Sequence, residues 1–301
     1  MAEIPFHPGE REAQRRAGFS LDRAPIRDFM SEQHRVFFAE LPYALFAGAA
    51  ADGSPVATVL TDAPGFLTNP DPRSLRVGVL PHPLDPFART IAPGAAVGML
   101  GIDLATRRRN RANGRVAAVG GTGFTIAVEQ SFGNCPKYIR ARDLEPAAKA
   151  AAPAADIFEW LGALDEEARR LVRTADTFFV ASSSGTDVLP HGGLDISHRG
   201  GPAGFVRIDG DRLTVPDFSG NRYFNTLGNL LRDPRAALLF IEFASGDLLY
   251  LSGLVTIDWQ PPAEGDGAQR SWRLEVQGGW RRRGGMPLRW ACRGQAPARI
   301  V

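Results

Sequence analysis

Apolar residues occur along this chain in short alternating runs, which Gly, Asp and Pro interrupt about every 8–12 residues. The runs are rich in β-branched and aromatic residues, as in TFFVAS, GFVRI, RLTV and AALLFIEF. This pattern is typical of antiparallel strands joined by short turns, and it differs from the strand–helix alternation of a parallel sheet. The sequence therefore predicts a mainly β protein, built as a barrel or a sandwich.

Flanking helices are predicted where apolar residues recur at helical spacing. SEQHRVFFAEL starts at Ser31, and EEARRLVRTA follows Asp165, so each is preceded by a residue that readily caps a helix. Apolar spacing over residues 157–164 predicts a further helix within an Ala/Pro-rich segment. A fourth helix is predicted over residues 219–234, where Pro234 would end it.

The chain also resembles itself, which indicates a tandem duplication. PGFLTNPDPRSLRV resembles AGFVRIDGDRLTV, and PGAAVGMLGIDLATRRRNRANGRVAAV resembles PRAALLFIEFASGDLLYLSGLVTI with a turn two residues shorter. The offsets range from 132 residues, between Gly53 and Gly185, to 141 residues, between Pro93 and Pro234. Collinear matches at nearly one offset predict two copies of one fold.

This repeat divides the chain into an N-terminal arm, two barrels and a linker. The predicted boundaries are an arm over residues 1–29, a first barrel over 30–143, a helical linker over 144–164, and a second barrel with a C-terminal tail over 165–301.

Composition narrows the class of protein. The net charge is +2, which gives no reason to expect nucleic-acid binding. Because 33 of the 35 basic residues are arginines, we expect any anion site to be built from guanidinium groups. The two cysteines do not make a disulfide framework, and no run of about 20 apolar residues suggests a membrane span. The N-terminus does not have the pattern of a signal peptide, so we expect a cytoplasmic protein.

The most polar segment of the second copy is HGGLDISHRGGPAGFV, where the first copy has only VATVLTDAPGFL. His191, Asp195, Ser197, His198 and Arg199 lie there, and this break in the repeat marks a candidate binding segment. The alternative is a surface loop whose glycines form turns. Metal binding fits the residue types, but the spacing matches no standard site.

The segment SGNRYF is predicted to open a helix, where unpaired N–H groups attract phosphate. Ser219 supplies a hydroxyl, and Arg222 can form paired hydrogen bonds with phosphate oxygens. The alternative is simple capping by Ser219 or Asn221, without a ligand.

In the first copy, TRRRNRANG replaces the apolar counterpart of the second. Strand alternation would direct Arg107, Arg109 and Arg111 to one side, and Arg108 and Asn110 to the other. One row would face a ligand or a partner, or the whole run is a solvated surface.

Cys135 lies in the segment QSFGNCPKYIR. No His or Asp that could form a catalytic triad with it is close in sequence, so a structural thiol is favoured over a nucleophile.

Four motifs together resemble the bacterial flavin-nucleotide-binding proteins related to pyridoxamine 5′-phosphate oxidase: GIDLATRRRNRANGRV, QSFGNCPKYI, GGLDISHRGGPAGFV and DFSGNRYFNTLGNLLRDPRAALLF. The resemblance covers roughly residues 30–260. It implies tandem FMN-binding split barrels, each a six-stranded antiparallel Greek-key barrel with flanking helices. Two such barrels pack together with FMN in the cleft between them, and here one chain would supply both.

The resemblance also implies which residues bind the flavin. SGNR would hold the phosphate, HGGLDIS would line the ring, and RRRNR of the first barrel would close the cleft. The implied cofactor-binding residues are His191, Asp195, Ser197, His198, Arg199, Ser219, Asn221, Arg222, Arg108, Arg109, Asn110 and Arg111. No metal and no catalytic residue is assigned.

The sequence thus predicts a cytoplasmic FMN-dependent oxidoreductase with one FMN per chain. It lacks the extended basic motifs of pyridoxamine 5′-phosphate oxidase itself, and the reductase module that some relatives carry. Electrons would therefore come from a separate reductase or from reduced nicotinamide, and a homodimer is left open. The alternative is a non-catalytic carrier, store or sensor of flavin or haem, with His191 or His198 as the axial haem ligand.

Overall fold

The structure is a computed structural model that describes residues 4–145, 157–185, 191–262 and 267–293. The elements of the first half are α1 (Pro8–Arg16), α2 (Glu32–Ala39), β1 (Tyr43–Ala49), β2 (Pro55–Thr61), β3 (Leu67–Asp71), β4 (Ser74–Val77), a 3₁₀ turn (Pro86–Arg89), β5 (Ala96–Asp103), β6 (Arg108–Gly120), β7 (Gly123–Gly133) and β8 (Arg142–Leu144).

The elements of the second half are β9 (Phe158–Leu161), α3 (Glu166–Thr174), β10 (Thr177–Ser183), β11 (Leu194–Gly200), β12 (Arg207–Asp209), β13 (Arg212–Asp217), α4 (Asn225–Arg232), β14 (Arg235–Glu242), β15 (Asp247–Asp258), β16 (Arg270–Arg282) and β17 (Trp290–Cys292).

The two halves have the same antiparallel topology. The first sheet has the strand order β2-β1-β5-β6-β7-β4-β3, and the path of the second has β11-β10-β14-β15-β16-β13-β12, so the strands of the two paths correspond one to one. Strand β9 joins the second sheet beside this path, by pairing with β16. The mainly β, tandem split-barrel fold is confirmed. Each sheet path has seven strands, one more than six, because a short edge strand (β3 or β12) extends it.

The central hairpins correct one detail of the repeat. The β5–β6 hairpin closes at the pair Asp103 and Arg108, and the β14–β15 hairpin closes at Glu242 and Asp247. Both turns therefore contain four residues, and the shorter turn predicted for the second copy is wrong. A constant offset fits both strands, and the apparent shift came from matching prolines that are not equivalent.

Strands β10 and β14 of the second barrel are buried on both faces, which explains their continuous apolar runs. On β10, Phe178 and Val180 pack into the core of the second barrel. Phe179 and Ala181 point the other way, into a core shared with the first barrel. Because side chains alternate along a strand, one run of apolar residues supplies two cores.

The barrels pack closely where β5 meets β11. A Cβ added at Gly98 would lie 3.0 Å from the carbonyl oxygen of Leu194, so a side chain there would separate the two strands. This close approach places the start of β6 beside β11 and α4, where the candidate site lies.

Two predicted helix caps are confirmed. The Ser31 hydroxyl accepts from the N–H of His34 at 3.3 Å, and the Asp165 carboxylate accepts from the N–H of Ala168 at 2.7 Å. Each cap satisfies a backbone donor that has no partner within the helix.

The predicted helix over residues 157–164 is wrong at its centre, because Phe158–Leu161 forms strand β9. This strand pairs with β16, with Trp160 opposite Trp280. Phe158 packs on Trp280 with ring centroids 5.1 Å apart. A free sheet edge and this aromatic contact outweigh the weak preference of so short a segment for helix. The part of the linker over residues 146–156 lies outside the described residues.

None of the helices in the described ranges is long and apolar enough to cross a membrane.

Candidate functional site

A polar cleft lies between the two barrels. The first barrel contributes the start of β6 and the loop after β7, and the second contributes β11, the end of β13 and the start of α4. The basic side chains that line the cleft are Arg109, Arg111, Lys137, Arg199, Arg222 and Arg270.

Arg109 and Arg111 both reach from β6 into the cleft, as strand alternation predicts. One guanidinium nitrogen of Arg109 lies 3.0 Å from Nδ1 of His198, and two others donate to the carbonyl oxygen of Cys135 at 2.7 and 3.1 Å. Arg107 does not share their row, because it lies in the preceding turn with a φ of 56°.

Arg111 joins the two barrels through a buried ion pair. Its guanidinium lies 3.0 Å from the Asp195 carboxylate and donates to the Ser197 hydroxyl at 2.5 Å and to the side-chain oxygen of Asn225 at 2.9 Å. Arg111 is 5% exposed and Asp195 is 4% exposed. Thr226 donates to the Ser197 hydroxyl at 2.9 Å, so the network extends into α4.

Burial lowers the pKa of two basic side chains in the cleft, those of Arg109 and His198. Desolvation, followed by the nearby charges of Arg111 and Arg199, lowers the pKa of Arg109 to about 9. Desolvation and the charge of Arg109 hold the pKa of His198 well below its usual range. His198 is therefore neutral at neutral pH, so its Nδ1 can accept from Arg109.

A second ion-pair group lines the cleft from the second barrel. The Asp217 carboxylate is 2.7 Å from the Arg199 guanidinium and 3.4 Å from that of Arg270. Asp217 and Arg270 are direct cross-strand partners on β13 and β16. One carboxylate is thus shared by two arginines.

Helix α4 begins later than the sequence predicts. It starts at Asn225 rather than at Ser219, because Arg222 and Phe224 have φ values of 65° and 61°, in the left-handed region where a helix cannot propagate. The N-cap residue Phe224 makes no side-chain cap, and Asn225 and Thr226, whose backbone N–H groups have no partner within the helix, line the cleft.

The loop before α4 presents only part of the predicted phosphate motif. The exposed Arg222 guanidinium lies 4.0 Å from the centroid of the Phe19 ring, and the Asn221 side chain accepts from the N–H of Tyr223 at 3.1 Å. Ser219 does not line the cleft, and its carbonyl oxygen accepts from the Tyr138 hydroxyl at 2.8 Å. The neighbouring Asn221 and Arg222 do line it.

Three further predicted residues lie outside the cleft: His191, Arg108 and Asn110. His191 lines a separate small cavity, together with His7, Glu10 and Asn229. Arg108 is on the outside of β6, with its guanidinium 4.9 Å from the Phe37 ring centroid.

Asn110 lies on the same face of β6 as Arg108 by alternation, but it is buried and does not line the cleft. Alternation splits the RRRNR run between two faces, so only Arg109 and Arg111 could meet a ligand in the cleft.

Several cleft residues were missed by sequence reasoning. Asn225 falls within the predicted helix over residues 219–234, where nothing marks it as a binding residue, and Lys137 lies in a loop without a regular pattern. Arg270 reaches the cleft only through its pairing with Asp217, a register that no local signal shows.

The cleft is strongly cationic. Six basic side chains line it and Asp217 is the one carboxylate among its described lining residues, with Asp195 behind Arg111. The excess of positive charge, together with an uncapped helix start, favours an anion such as phosphate.

The equivalent position of the first barrel is built differently. There Asp85 caps the 3₁₀ turn by accepting from the N–H of Phe87 at 2.9 Å, and it also accepts from the Thr58 hydroxyl. A buried carboxylate and Pro86 thus occupy the place of the uncapped α4 start.

Within the described residues, no group of three or more His, Cys, Asp or Glu is arranged to hold a metal ion.

Comparison with known proteins gives one match to a family. The family model described as pyridoxamine 5′-phosphate oxidase matches residues 164–281, which contain the second barrel. No curated protein matches the chain.

Three solved structures illustrate the structural similarity. HupZ of Group A Streptococcus is 12% identical, with 38% of this chain and 89% of that chain covered and a TM-score of 0.29. A Lactobacillus delbrueckii protein, provisionally named a pyridoxamine 5′-phosphate oxidase, is 18% identical, with 35% and 95% covered and a TM-score of 0.28. The MrkH–c-di-GMP complex of K. pneumonia is 12% identical, with 84% and 87% covered and a TM-score of 0.24. The family assignment rests on the match over residues 164–281 and on the split-barrel topology that both halves share.

The second barrel, over residues 164–281, is therefore that of the pyridoxamine 5′-phosphate oxidase-like family.

Proposed function

We propose that the cleft binds FMN and that the protein is an FMN-dependent oxidoreductase. The observation that carries this proposal is the uncapped start of α4, which opens onto a cleft lined by six basic side chains. A terminal phosphate is the group that best matches backbone N–H donors and guanidinium groups together.

The phosphate would lie against the first turn of α4. The N–H groups of Asn225 and Thr226 would donate to its oxygens, and Arg222 would close over it from the exposed side. Arg111 holds the side chain of Asn225 from the first barrel, so both barrels contribute to this position.

The flavin ring would lie towards β11 and the start of β6. Bound FMN supplies the electron transfer, and the residues of the cleft supply its position and electrostatic environment. With a pKa of about 9, Arg109 keeps its charge at neutral pH and stabilises negative charge beside it. Neutral His198 accepts from Arg109 and so fixes the direction of that guanidinium.

One FMN per chain is expected, because only one of the two related positions is open to an anion. In the first barrel the carboxylate of Asp85 already accepts from the backbone, and it would repel phosphate. Electrons would come from reduced nicotinamide or from a separate reductase.

Purified protein tests this proposal directly. The ligand released by heat would be identified by mass spectrometry, and apoprotein would be titrated with FMN while flavin fluorescence is followed. We expect FMN and saturation at one equivalent per chain. Release of FAD alone, or saturation at two equivalents, would contradict the proposed site. Anaerobic loss of flavin absorbance on addition of NADH or NADPH would support direct reduction, and absence of this loss would leave a reductase as the donor.

A haem-binding protein is the second candidate, because Nε2 of His198 has no hydrogen-bond partner among the described residues. However, His198 is 5% exposed, and its Nδ1 lies against Arg109. Haem iron would therefore need a rearrangement of β11, whereas a phosphate would not, and FMN is favoured. The visible spectrum separates the two, since a Soret band indicates haem and a flavin doublet indicates FMN.

A further inference from the structure

The N-terminal arm packs directly on α4, the helix that opens the cleft. Helix α1 crosses α4 so closely that a Cβ at Gly228 would lie 2.5 Å from Cα of Glu10, and a Cβ at Gly9 would collide with the carbonyl oxygen of Gly228. Two glycines therefore permit a contact between backbones. The arm comes from far away in sequence, yet it lies one layer behind the cleft.

Glu10 of α1 contacts Asn225, the first residue of α4, through a hydrogen bond. Its carboxyl accepts from the side-chain amide of Asn225 at 2.5 Å and from the N–H of His7 at 3.0 Å. Because Asn225 gives its amide to Glu10, its side-chain oxygen faces Arg111, from which it accepts at 2.9 Å. Glu10 is 4% exposed, so the orientation of Asn225 is fixed from a buried position.

The arm also contacts the loop just before α4. The ring of Phe19 lies under the Arg222 guanidinium at 4.0 Å, Phe6 packs on the Tyr223 ring at 5.6 Å, and Gln14 donates to the carbonyl oxygen of Tyr223 at 3.5 Å.

The backbone that these contacts hold is strained. Arg222 and Phe224 both adopt left-handed φ values that side-chain-bearing residues seldom occupy. Such conformations persist only where the surroundings impose them, and the arm supplies contacts to the residues between Arg222 and Asn225.

We infer that the N-terminal arm is a positioning element of the anion-binding cleft, in which Glu10 orients Asn225 and Phe19 orients Arg222. This inference rests on the proposed function, because the ligand it concerns is the FMN phosphate. Neither residue touches the ligand. Both act through a residue that lines the cleft, so they set the affinity for the phosphate and leave that for the flavin ring unchanged.

Paired titrations with FMN and riboflavin test this role, since the two ligands differ only in the phosphate. The variants are Phe19→Leu, which removes the ring and keeps apolar bulk, Phe19→Tyr, which keeps the ring, and Glu10→Ala. Phe29→Leu is the matched control, because Phe29 lies in the same arm under the Arg73 guanidinium at 6.0 Å, away from the cleft.

Phe19→Leu should weaken FMN binding about 2- to 5-fold, as expected for a cation–π contact at an exposed site. Glu10→Ala should weaken it about 5- to 10-fold, as expected for loss of a hydrogen bond between neutral groups. Riboflavin affinity should stay within about 2-fold for both, and Phe19→Tyr and Phe29→Leu should bind both ligands like the wild type.

The results separate the inference from the proposed function. If the wild type prefers FMN over riboflavin and both Phe19→Leu and Glu10→Ala keep that preference unchanged, the positioning role is overturned. Equal losses for FMN and riboflavin also overturn it, since they indicate a purely structural arm. If the wild type binds both ligands equally, the phosphate site itself is wrong. Because Phe19 is only half-buried, its variants remain informative even if Glu10→Ala does not fold.

Discussion

The ion pair between Arg111 and Asp195 is a buried polar connection between the barrels, so its loss should be costly. Both side chains are about 6% exposed, and their charged atoms are 3.0 Å apart. Breaking a buried pair by removing one partner typically costs about 3–5 kcal/mol, because the other charge is left buried. Asp195 keeps hydrogen bonds from the Ser197 hydroxyl at 2.9 Å and from the Asn113 amide at 3.4 Å.

We therefore expect the lower end of that range, a loss of about 3 kcal/mol for Arg111→Met. For a chain of this size, that loss corresponds to a decrease in Tm of roughly 6 °C. The double variant Arg111→Met/Asp195→Asn leaves no buried charge, so it should lose only about 1 kcal/mol. Asp195→Asn alone leaves the Arg111 guanidinium without its counter-charge and should cost about 2 kcal/mol.

Chemical denaturation of the four proteins closes a double-mutant cycle. The expected coupling is about 4 kcal/mol, well above the roughly 0.5 kcal/mol that independent sites show. Strictly additive losses would refute the view that this pair is coupled. The phosphate preference provides a separate readout, because both variants without Arg111 should lose affinity for FMN even where the double variant regains stability.

Three further predictions follow from individual contacts. Arg222→Ala should weaken FMN binding by about 10- to 100-fold through loss of about 1.5–3 kcal/mol, with riboflavin unaffected in calorimetric titration; an equal loss for both ligands would contradict a phosphate contact. Burial raises the pKa of Glu10 from 4.5 to about 8, so its contribution to stability is complete below pH 4.5 and is lost as the pH rises towards 8. The difference in unfolding free energy between wild type and Glu10→Gln should therefore change over that window, and parallel pH profiles would contradict it. Gly253→Ala should destabilise the second barrel by at least about 1 kcal/mol in thermal unfolding, because the added Cβ would collide with the carbonyl oxygen of Glu275 at a β-bulge; an unchanged Tm would show that the bulge relaxes.

The local features of this fold were predictable because they depend on neighbouring residues. The caps at Ser31 and Asp165 follow from side chains that reach their own backbone. The repeat predicted two equivalent halves, since equivalent apolar patterns fold into equivalent sheets, and the shared strand order confirms this. Alternation also predicted that Arg109 and Arg111 would share one face of β6.

Where local preferences were weak, tertiary contacts determined the secondary structure. Residues 158–161 had helical spacing, but the exposed edge of β16 made them a strand. Residues 219–224 had the composition of a helix start, but left-handed backbone at Arg222 and Phe224 delays the helix to Asn225. Both outcomes depend on partners distant in sequence, which a local pattern does not contain.

The candidate site shows the same division. The sequence by itself determined that the arginine run TRRRNRANG is present only in the first copy and a polar segment only in the second. Only the tertiary structure decided which of them meet: it brings Arg109 and Arg111 to His198 and Ser197, and leaves His191 in another cavity. It also places Glu10 of the arm behind α4, a contact across 215 residues. Spacing along a chain fixes which face of an element a side chain occupies, whereas the packing of the two barrels fixes what that face meets.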